Sequence, residues 1–73
     1  MPAVMTARSN PETTAELLAH FEHCPVRLAC AIAVFAEEGE LALKAHDHLL
    51  ASRCLDRITK LTGALIYLKR RAH

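Results

Sequence analysis

From residue 48 onward, apolar side chains recur at Ala51, Cys54, Ile58, Leu61, Leu65 and Leu68, in steps of three and four without a miss. That is the period of one face of an α-helix, and it predicts a helix over 48–71. Lys69, Arg70 and Arg71 close the segment, placing cations where the negative end of a helix dipole favours them. Before it, His46-Asp47-His48 breaks the pattern, and Asp47 is a competent cap for the helix that follows.

The same period opens the chain's ordered part. Thr14, Leu17, Phe21 and Cys24 alternate three and four, predicting a first helix over 11–23. Two starts compete. Asn10 caps with Pro11 at the first helical position and Glu12 beside the positive dipole end. Thr13 with Glu16 forms a capping box one turn later. Residues 1–9 carry neither an apolar run nor a periodic one and are expected to be a disordered tail. Pro25 then removes an amide donor and disfavours helical geometry at Cys24. A break with a tight turn is expected there in preference to a kink.

The second helix, expected over 26–45, holds the chain's oddest stretch, CPVRLACAIAVFA. At about 100° per residue, Leu28, Ile32 and Phe35 share one face, while Val26, Cys30, Ala33, Val34 and Leu41 lie opposite. A helix apolar on two sides needs cover on both. Gly39 reads as a small packing residue within it, because Glu37 and Glu38 suit a helix C-terminus poorly. The competing reading makes Gly39, and not His46-Asp47, the main turn.

If the second and third helices form an antiparallel hairpin, positions whose numbers sum to about 93 lie level. Gly39 then meets Cys54 and Gly63 meets Cys30, small against medium each time, while Glu40 falls level with Arg53 and Glu37 near Arg57. Leu18, Leu55 and Ile66 lie off these seams. The expected fold is all-α: a short N-terminal helix plus a long antiparallel helical hairpin, one domain over 10–73, completed as a bundle by dimerisation.

Composition sharpens this. The 73 residues are 52% hydrophobic but only 4% aromatic, so the core must be built from aliphatics and alanine at a size where one core barely suffices. The net charge of +1 is uneven: residues 1–43 sum to −4 and residues 44–73 to +5. Either the two helices attract each other or a basic surface steers an acidic partner. Three cysteines at irregular spacing give no disulfide framework, which fits a reducing, cytoplasmic setting. The opening MPAVMTARS has no secretory pattern, and no membrane association is expected.

Candidate chemistry is sparse. Glu16, His20, His23 and Cys24 share one edge of the first helix and are the candidate ligands of a zinc or copper ion. Cys24, Cys30 and Cys54 fall on or beside apolar faces, where thiols behave as small hydrophobes. No nucleophile-base grouping or phosphate-binding loop can be made from the rest, so neither catalysis nor a cofactor is expected. Arg53, Arg57, Lys60 and Arg71 form a basic stripe beside Tyr67, suited to steering an acidic partner or, in an alternative reading, to tracking nucleic-acid phosphates.

The stretch from Ala45 to Leu55, AHDHLLASRCL, resembles the hairpin corner of flagellar export chaperones of the flagellin-binding kind, and Leu65–Arg71 resembles a later helix of that family. The resemblance covers under half the chain. It implies an adaptor-like helical protein, and no functional residue is carried across. Together these readings predict a small non-enzymatic interaction module (adaptor, chaperone-like or inhibitor). Its partner is another protein or a second copy of itself as a homodimer. Val26, Cys30, Val34, Leu41, Leu55 and Ile66 are the candidate binding residues.

Overall fold

The computed structural model describes residues 13–71, which form three helices and no strand. Helix α1 spans Thr14–His20, α2 spans Pro25–Lys44, and α3 spans His48–Arg71. The tail expected over 1–9 and the start at Asn10–Pro11 lie outside the described residues.

The second of the two competing starts is built. Thr13 is extended, its hydroxyl accepts from the Glu16 amide at 3.1 Å, and the Glu16 carboxylate accepts from the Thr13 amide at 2.9 Å. Two amides otherwise orphaned at the helix end are thereby satisfied. At its other end α1 stops short of the expected His23. Glu22 and His23 both take left-handed backbone, with φ of 57° and 54°. Their amides donate back to the carbonyls of Ala19 and Leu18, at 3.1 and 2.8 Å. This crossed pair of bonds is the Schellman closure. Cys24 is then extended, as the residue before a proline should be, and Pro25 is the first residue of α2. The result is a break, with α1 and α2 meeting at 104°.

The second joint repeats the device. His46 is left-handed at φ 60°, and the amides of His46 and Asp47 return to Leu43 and Ala42 at 3.0 and 2.8 Å. The Asp47 carboxylate then accepts from the Leu50 amide at 3.1 Å and caps α3. The turn is therefore at Ala45–Asp47, and Gly39 lies inside α2.

The core is small. Leu17, Leu18, Leu28, Leu61 and Ala64 form one buried cluster, with Phe21, Ala31, Ile32, Phe35, Leu65 and Leu68 packed against it. Nearer the turn Ala42, Ala51 and Cys54 are buried. A Cβ added at Gly39 would lie 3.2 Å from the Cβ of Cys54, so the glycine lets α2 and α3 approach closely, as the level-matching predicted. The companion expectation fails: nothing lies within 4 Å of a Cβ at Gly63, and Cys30 is exposed. Residues level along an axis need not face each other, and both of these point away from the contact. Leu18 is also corrected. It is 4% exposed, because α1 swings back onto the long helices and buries both of its adjacent leucines.

Candidate interaction surface

Among the described residues, four large aliphatic side chains are buried, namely Leu17, Leu18, Leu28 and Leu61. Nine large hydrophobic residues are exposed. That imbalance defines the candidate site, because each such side chain removed from water is worth about 1.5–3 kcal/mol.

The structure places all six predicted binding residues at the surface, but not on one patch. Val26, Cys30, Val34 and Leu41 are exposed along α2. At about 100° per residue they point away from α3, since Leu28 and Ala42 mark the buried side. Leu55, 63% exposed, and Ile66 lie on α3, on a flank turned roughly 110–130° from its buried seam. Leu43, Leu49, Leu50 and Tyr67 are exposed as well and were missed in the sequence. Their signal was available: each departs from the three-four alternation of its helix.

The candidate metal ligands are not gathered. No three His, Cys, Asp or Glu side chains among the described residues are placed to hold an ion. The reason is the left-handed turn, which carries His23 and Cys24 off the helical edge that Glu16 and His20 share. His46 and His48 stand with ring centroids 6.4 Å apart at the other turn.

Of the basic residues of α3, Arg53, Arg57, Lys60 and Arg71 lie by helical phase toward the α1 side. Arg53 and Arg57 line an open groove of about 660 Å³ together with His20, Phe21, Phe35 and Glu38. Lys60 pairs with Asp56 at 3.2 Å, and Arg71 donates to the Tyr67 hydroxyl at 2.8 Å with its guanidinium 5.6 Å from the ring centre. The stripe is thus interleaved with Glu38, Asp56 and an aromatic ring. No ion pair joins Glu40 to Arg53 among the described residues. Arg27 pairs with Glu22 at 3.1 Å across the α1–α2 joint.

The three thiols are free: Cys54 is buried, Cys24 half-buried and Cys30 exposed. Cys30 faces solvent on the outer side of α2, the uncovered face to which it was assigned. No polar or charged side chain is buried among the described residues. What the surface offers is apolar contact. Among the described residues no single helix is long and apolar enough to cross a membrane. α1 and α2 taken together carry enough apolar residues for one span, but only as a pair bent at the 104° joint. Comparison with protein-family models, curated proteins and solved structures finds no match for this chain.

Proposed function

We propose that this protein is a small helical interaction module, without catalytic activity, which works by presenting uncovered apolar surface of its long helices to a protein, first of all to a second copy of itself. In this reading α2 and α3 are the two arms of an antiparallel hairpin, and a dimer completes the bundle. The observation that supports it is the excess of exposed large hydrophobics over buried ones. Exposed aliphatic side chains in this number on a chain this small leave apolar surface that a partner would cover.

The energetics are adequate. Burying a further ~400 Å² of apolar surface contributes on the order of 10 kcal/mol before the cost of association is subtracted. Self-association within the cytoplasm is consistent with the free thiols. The test is the solution mass of the purified chain over a wide concentration range, read beside binding of an apolar dye. Dimers at working concentration, with dye binding that rises on dilution, are the expected result. A particle of single-chain mass throughout, with no dye uptake, overturns the self-association.

A further inference from the structure

The joint between α1 and α2 is short and strained. Residues 21–24 alone connect the two helices. Within it Glu22 and His23 hold left-handed backbone, at φ 57° and 54°, and neither is a glycine. A Cβ crowds the following carbonyl in that region, so each residue sits above its own minimum. What holds the joint closed lies at the surface. The amides of Glu22 and His23 donate to the carbonyls of Ala19 and Leu18, and the Glu22–Arg27 ion pair spans the turn with both side chains more than half exposed. Bonds of this kind are readily exchanged for water. The element beyond the joint cannot stand alone. Seven residues do not hold a helix in water, and Leu17 and Leu18 of α1 are buried with Leu28 and Leu61 of the long pair. A released α1 therefore needs a seat of the same shape, and every other copy of the chain carries an identical one.

We infer that two copies of this chain exchange α1, each laying Leu17 and Leu18 into the seat formed by Leu28 and Leu61 of the other; the inference rests on the self-association proposed above and names the element that passes between the copies. The occupant of the seat is set by the structure, because α1 fills it in the single chain. The contacts of the exchanged pair are those already made, so the balance falls on the joint. Opening turns chiefly on two residues. Cys24 is already extended ahead of Pro25, as a residue before proline prefers, while Glu22 and His23 relax from left-handed to extended backbone. Four extended residues reach about 13 Å, roughly one helix diameter, which lets α1 clear its own α3. Each dimer relieves two strained joints, against the cost of bringing two chains together.

The experiment is equilibrium sedimentation of the full chain and three variants, each checked for helix content. Glu22→Gly combined with His23→Gly removes the strain of the closed joint and should weaken dimerisation by at least about 10-fold. Glu22→Ala combined with His23→Ala keeps both Cβ atoms and should not weaken it. His23→Pro fixes φ near about −65° and deletes the amide that closes on Leu18. With the closed joint forbidden, dimerisation should tighten by at least about 10-fold. A dimer held by outer surfaces alone would leave all three constants near the parent's, and that result overturns the exchange while self-association stands. The exchange also fails if the His23→Pro chain stays single with α1 detached, or if the alanine pair weakens the dimer as the glycine pair does. Should His23→Pro cost the helix content of α2 and α3, the glycine and alanine pairs decide between them. If the parent chain dimerises at no concentration, the proposed function fails first and the exchange with it.

Discussion

Gly39 and Gly63 both lie inside long helices, where a glycine costs about 0.5–1 kcal/mol relative to alanine. Only one of them has a packing reason to be there. A Cβ at Gly39 would meet Cys54 at 3.2 Å, whereas Gly63 faces open space. Gly63→Ala should therefore raise stability by about 0.5–1 kcal/mol in chemical denaturation. Gly39→Leu should lower it by about 1–3 kcal/mol, because α2 and α3 must separate to admit the side chain. A Gly39→Leu variant as stable as the parent would show that this contact is not tight. The Gly39–Cys54 approach followed from level-matching because both residues also lie on inward faces, which Gly63 and Cys30 do not. The left-handed residues Glu22, His23 and His46 were not readable. None is a glycine or asparagine, the residues that take this conformation most readily.

Among the elements, α1 depends most on the others. Seven residues are too few to hold a helix in water. Its capping box fixes where it begins, and Leu17, 1% exposed, holds it down. Replacing Leu17 with Ala should cost about 2–5 kcal/mol. Fast amide exchange over 14–20 should accompany that loss, while the α2–α3 contact near the turn stays protected. Uniform loss of protection along the chain would instead mean that α1 is integral to a single cooperative unit. The helix types, the break at Pro25 and the turn at His46-Asp47 were legible, because proline chemistry, capping and a 3.6-residue period are local properties. The end of α1 was not. Its apolar alternation runs on through Phe21 and Cys24, but the carbonyls of Leu18 and Ala19 are claimed by a crossed closure that periodicity does not see.

At the scale of the molecule, a core of four leucines, three alanines and a cysteine leaves little margin in a chain this short. Linkage to self-association should then make the Tm rise with protein concentration. A Tm constant across a hundredfold dilution series, with the dimer present at its upper end, would show that the single chain holds its fold unaided. The candidate surface was half legible from the sequence. Apolar residues off each helix's main seam were expected to be exposed, yet Leu18 proved to be core, and Leu43, Leu49 and Leu50 are exposed without having been singled out.

The order of residues was enough to specify three helices, the Asp47 cap, the proline break and the oversupply of aliphatic side chains, since each depends on groups within a few positions of one another. Which of those side chains ended up inside was settled by the 104° joint. Once α1 folds back against α3, Leu17 and Leu18 join Leu28 and Leu61 in the core. That choice depends on backbone angles at Glu22 and His23, and no periodicity along the chain encodes them.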